Sequence, residues 1–155
     1  AINFVINLVV VFIFSFFNGV TFSWTALMVI PLFFELFLMA TGCALILATF
    51  FVRFRDLGQV WEVLLQAGLY ATPIIYPISF IADQNPWAAK LVMMNPLAQI
   101  IQDMRYFLID KANTPVWLLV QNKYLVLTPY VLPILIFVAG FAYFNKHAKK
   151  FAEIL

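Results

Sequence analysis

From Ala26 to Val52 the chain carries a single charged side chain, Glu35. Coiled as an α-helix, that stretch reaches about 40 Å, against roughly 30 Å for the hydrocarbon core of a bilayer. Nothing soluble can be assembled around it, because 65% of the residues are hydrophobic and 10% charged. An ordinary globular domain carries about 25% charged residues. The chain is a membrane protein. The same composition, with 18 Phe, excludes a disordered chain, a basic nucleic-acid-binding domain and a disulfide-stapled secreted module.

Other apolar windows long enough to matter fall at residues 1–17, 60–81 and 124–144. The expected fold is all-α: one polytopic membrane domain over residues 1–155, with four transmembrane helices at about 1–17, 26–52, 60–81 and 124–144. The second window exceeds the bilayer, so tilt or a bend at Pro31 is expected. The third holds Pro73 and Pro77, and the fourth holds Pro129 and Pro133. The chain is apolar from Ile2, with no basic segment or small-residue cleavage site ahead of the first window. The expectation is the carboxyl-terminal portion of a longer protein rather than a chain with a signal peptide.

The segment 91–109 is long enough to span but contains Asn95, Gln99, Gln102, Asp103 and Arg105. Asp103 and Arg105 would each cost roughly 2.5–3.5 kcal/mol at the bilayer centre. It is therefore expected to stay outside as an extracytoplasmic re-entrant or amphipathic helix. The basic residues agree: Arg53 and Arg55 lie in one short loop, and Lys146, Lys149 and Lys150 in a tail at 145–155. Both clusters favour the cytoplasm, which requires an even number of crossings between them. Trp24, Trp87 and Trp117 then fall at the outer boundary, with Trp61 and Tyr143 at the inner one.

Little in this sequence can carry bond chemistry. Five glycines are scattered singly, and none opens a phosphate-binding loop. The one cysteine, Cys43, has no partner, and His147 sits in the basic tail. No metal or cofactor is expected on this chain. Glu35 is the carboxylate deep inside a span, a functional candidate by position. Ala40, Ala44 and Ala48 recur every fourth residue and form a helix-packing face, either within one copy or between two. Pro73 and Pro77 each remove a helix donor, so the third span must bend or end in its outer half. Tyr76, between them, is expected to face a pathway or the helix that follows Asn95.

Four features resemble the membrane subunit of ABC type-2 exporters, and more narrowly the permeases for lipid-linked O-antigen, capsule or teichoic acid. They are Arg53-Phe54-Arg55-Asp56-Leu57, Thr72-Pro73-Ile74-Ile75-Tyr76-Pro77, the Asn95-Pro96-Leu97 entry to a helix ending near Arg105, and Phe151-Ala152-Glu153. The match runs from about Ala26 to Leu155. The resemblance implies a homodimeric permease bound to two copies of a separate ATPase subunit, which would hold ATP and Mg. It places coupling to that ATPase at Arg53, Arg55, Asp56, Leu57 and Gln59. It places an outer gate at Pro73, Tyr76, Pro77, Asn95, Pro96 and Arg105, with aromatic side chains guiding the glycan among the membrane lipids. Family members usually have six spans, so the first two would be absent here. The alternatives are a drug or antibiotic exporter of the same architecture, a membrane-embedded lipid-modifying enzyme, and an assembly scaffold.

Overall fold

The computed structural model describes residues 2–17, 24–54, 56–120 and 122–151. Its elements are α1 (Ile2–Phe17), a 3-10 turn (Trp24–Met28), α2 (Val29–Arg53), α3 (Leu57–Ala71), α4 (Ile78–Gln84), α5 (Pro86–Met93), α6 (Pro96–Leu108), α7 (Val116–Leu119) and α8 (Lys123–Phe151). No strand occurs among the described residues.

Two helices are long and apolar enough to cross a bilayer, Trp24–Val52 and Lys123–Ala148. At 16 and 15 residues, α1 and α3 reach only about 22–24 Å. The helix expected over 60–81 is divided, because Pro73 and Pro77 lack the N–H groups that would continue it. The one expected over 91–109 is divided as well. Pro96 disfavours helical geometry at Asn95, which instead caps α6 by accepting from the N–H of Leu97 at 3.1 Å. Pro31 produces no mid-helix bend, since it stands in the first turn of α2, where a missing N–H breaks no intrahelical bond. The tail expected from 145 onward continues α8 as far as Phe151; residues 152–155 lie outside the described part.

The principal contact is α2 against α8. It is organised by two glycines. A Cβ on Gly42 would lie 2.7 Å from Phe137 Cα, and one on Gly140 would collide with the Gly42 carbonyl oxygen. Without side chains at these positions the two backbones meet directly, the usual way membrane helices gain packing when apolar burial supplies no drive. The expected alanine face takes no part: Ala40, Ala44 and Ala48 are exposed, in register with exposed Ile30, Phe34, Phe37 and Phe51.

A second, smaller core lies at the end of the molecule where α8 begins. Here α4 and α5 pair and pack with α6, α7 and the start of α8 around Ile78, Ala89, Met93, Ala98, Val116 and Val120. Asn85 joins α4 to α5, accepting from the N–H groups of Trp87 and Ala88. In contrast, α3 buries no residue. Large apolar side chains stand exposed along α1, α2, α3 and α8, far more than an aqueous surface tolerates.

Candidate functional site

The break after α3 is held by side chains that replace missing backbone donors. In a continuous helix the carbonyl of Pro73 would accept from the N–H of residue 77, but that residue is Pro77. Arg105 Nη1 donates to it instead, at 2.8 Å, while Nη2 donates to the Ile74 carbonyl at 2.6 Å. The Thr72 hydroxyl donates to the Gly68 carbonyl at 2.7 Å. The Asn95 amide approaches the same hydroxyl at 3.5 Å. Thus α6 grips the break from both ends, with Asn95 at Thr72 and Arg105 at Pro73 and Ile74, while Pro96 is buried at the start of α6. Tyr76 is placed differently from the expectation. Its hydroxyl turns back to the Tyr70 carbonyl at 2.9 Å, closing the last turn of α3 rather than reaching the helix after Asn95. Pro77 starts α4 from an extended conformation.

The other face of α6, in the segment expected to be a re-entrant or amphipathic helix, forms a polar cluster. Gln99, Gln102 and Asp103 share one face at i, i+3 and i+4 spacing, and each is no more than 1% exposed. Gln99 Nε2 donates to Asp103 Oδ2 at 2.7 Å, and the Tyr130 hydroxyl of α8 donates to the same oxygen at 2.6 Å. Glu35 of α2 faces Gln99 and Asp103. Four buried oxygens have no donor: Glu35 Oε1, Gln99 Oε1, Gln102 Oε1 and Asp103 Oδ1. Glu35 is therefore not an isolated intramembrane carboxylate. Its partners carried a legible signal, the 99/102/103 polar stripe. Tyr130 carried none, being one of six tyrosines in an apolar chain.

Near the groove between α1, α2 and α6, Arg105 has an apolar setting. An open hollow of about 310 Å³ is lined by Asn7, Val11, Phe33, Ile101, Met104 and Leu108 beside it. Beyond α6, Tyr106, Phe107 and Trp117 form an aromatic group with ring centroids 5.3–5.9 Å apart.

At the opposite end, α2 and α3 are joined by a tight turn. Phe54 closes α2 through its N–H to the Phe50 carbonyl at 2.8 Å, and its own carbonyl accepts from Leu57 at 3.4 Å. Asp56 and Gln59 are exposed and Leu57 half-buried. Arg55, expected at this contact, lies outside the described residues, as does the side chain of Arg53. His147 packs against Tyr143 with the rings tilted by 44° and centroids 4.4 Å apart. No group of three or more His, Cys, Asp or Glu suited to a metal occurs among the described residues.

The ABC-2 type transporter family matches residues 1–109. Two curated relatives are both O-antigen export system permease proteins RfbA of Klebsiella pneumoniae. One is 29% identical over 114 residues, covering 74% of this chain and 40% of the relative. The other is 28% identical over 155 residues, covering 99% of this chain and 56% of the relative. The chain thus spans about half the length of the curated relatives it matches. This family comprises transport permeases, not enzymes in themselves. With its helical, apolar architecture, the chain belongs to the ABC-2 type transporter family and is a multi-pass protein of the cytoplasmic membrane.

Proposed function

We propose that this chain forms part of the membrane permease of an ATP-driven exporter that moves a lipid-linked polysaccharide across the cytoplasmic membrane. The observation that carries this reading is the similarity over 99% of the chain to a permease named for O-antigen export. ATP and Mg belong to a separate ATPase subunit. Force enters through the turn at 53–59, where Asp56 and Gln59 are free to meet a partner. A second copy of the permease completes the passage. The break at Thr72–Pro77, gripped by α6, supplies the outer gate, because irregular backbone at membrane depth persists only where protein or a water-filled cavity surrounds it. Aromatic faces suit a sliding glycan, since stacking does not fix hydrogen-bond geometry.

The test is replacement of the gene, in its native host, by a full-length version carrying Asp56→Lys. Lipid-linked glycan should accumulate on the cytoplasmic side, while membrane insertion is retained and ATPase activity persists without export. A deletion strain with normal surface glycan and heightened sensitivity to a drug would overturn the polysaccharide reading in favour of drug export.

A further inference from the structure

The cluster between α2, α6 and α8 contains more acceptors than donors. A carboxylate accepts and cannot donate, and an amide carbonyl only accepts. Around Glu35, Gln99, Gln102 and Asp103, four such oxygens are buried without a donor. Gln99 Nε2 and the Tyr130 hydroxyl both donate to Asp103 Oδ2, and the Val116 N–H also faces Asp103. The Gln99 amide is shared with Glu35, and with the Gln102 amide these are the donors of the cluster.

Among the described residues, no positive side chain offsets the two carboxyl groups. In α2 the ionisable groups besides Glu35 are Cys43, over two turns away, and Arg53, at the far end. The 3-10 turn and α7 have no ionisable residue. On α5, Lys90 is exposed. On α8 only Tyr130 faces the cluster; Lys123 and Tyr124 begin that helix, and Tyr143, Lys146, His147, Lys149 and Lys150 lie towards its other end. Within α6, Arg105 is turned to Pro73 and Ile74. Asp103 is buried, and Glu35 is half-buried with its Oε1 out of reach of water. With no cation beside them, joint ionisation of two such carboxyl groups is disfavoured.

We propose that Glu35 and Asp103 together bind one proton, held in the contact through Gln99, and that this proton keeps α6 seated on α2 and α8. The proton comes from water and converts one carboxylate into a carboxylic acid. Its O–H becomes the donor that the cluster lacks, and one negative charge is removed from the buried site. When the proton leaves, two like charges face each other across the contact of α2 with α6. Because the same helix carries Asn95 and Arg105, unseating α6 releases Pro73 and Ile74. The α3 break is thereby tied to the protonation of a site on the other side of α6.

Infrared difference spectroscopy of the full-length protein in lipid nanodiscs tests this. A carboxylic-acid carbonyl band, shifted by deuterium exchange, should be present at low pH and vanish as pH rises. Glu35→Gln or Asp103→Asn should remove it. A second readout uses Ile78→Cys, a position buried in the cluster with Ala98 of α6, in a Cys43→Ser background, labelled with an impermeant thiol reagent, with and without Glu35→Gln. Glutamine keeps the shape and supplies donors without titrating, so the ratio of labelling rates between the two proteins cancels the ionisation of the thiol itself. That ratio should rise by up to about tenfold per pH unit as the midpoint is approached from below, and level off above it. Absence of the band at every pH, a band indifferent to both substitutions, or a flat ratio would overturn the proposal. So would a ratio that responds to sodium or calcium at fixed pH, which would assign the site to a metal cation. If Glu35→Gln does not fold, the presence and titration of the native band decide alone.

Discussion

Asp103 and Arg105 stand two residues apart on α6 and bind opposite sides of the protein. Asp103 accepts from Tyr130 of α8 at 2.6 Å, and Arg105 donates to the Pro73 carbonyl at 2.8 Å. Side chains two apart on an α-helix point about 200° from each other, so one short helix connects the buried polar cluster to the broken end of α3. Neither contact can shift without moving the helix that carries the other.

The fork of Arg105 spans two carbonyls, which a lysine ammonium on a flexible stem does not reproduce. Arg105→Ala should destabilise the outer end by about 1–3 kcal/mol, reflecting loss of two charge-assisted bonds from a half-buried residue. Arg105→Lys should recover less than half of this. Hydrogen exchange of the N–H groups at 74–76 is the measurement, and unchanged protection in both variants would show that Arg105 does not hold the break.

The glycine crossing makes a sharper demand. A methyl group at Gly42 meets backbone atoms of Phe137, which cannot rotate away as a side chain would. Gly42→Ala and Gly140→Ala should each cost at least about 1–3 kcal/mol, the range for overpacked cores. Gly68→Ala should be tolerated, because nothing lies within 4 Å of its added methyl. Thermal unfolding in detergent distinguishes them.

If a second copy packs against α2, the exposed alanines are where close approach is expected. In a Cys43→Ser background, cysteines at Ala40, Ala44 and Ala48 should form intermolecular disulfides in membranes, while Ile46→Cys, on the opposite side of the helix, should not. Equal cross-linking at all four would indicate random collision.

The topology can be read by labelling. If α4 to α7 stay together outside, Gln84→Cys and Asn113→Cys should both react with an impermeant thiol reagent applied from the extracytoplasmic side. Reaction of only one would mean that a helix between them crosses the bilayer.

Much of the architecture was legible because it follows from solvent exclusion. The apolar run around Glu35 had to become a long helix, since no other backbone satisfies its own hydrogen bonds in lipid. The polarity of residues 95–105 marked a helix that differs from the spans. The burial of its polar side chains was not legible, because polar residues at a surface and polar residues facing one another in a core have the same composition. Gln99 and Asp103 became buried through partners on α2 and α8, far away in sequence. The packing face within one copy was not legible for a related reason. Alanines at regular spacing and a lone Gly42 both permit close approach, and the position of Gly140 opposite Gly42 selects between them.

The two proline pairs separate what the sequence determines from what the fold decides. Pro73 and Pro77 have the same spacing as Pro129 and Pro133. In each pair the later proline deprives the earlier one's carbonyl of its helical donor, and that much is fixed by the residues alone. Yet α3 ends before the first pair, while α8 continues through the second. The difference is tertiary. Pro129 and Pro133 are buried in a helix clamped along α2, where breaking the chain would forfeit the packing of every turn beyond. The body of α3 buries nothing, so it has no packing to lose by ending, and its freed carbonyls are met by Arg105 from another helix.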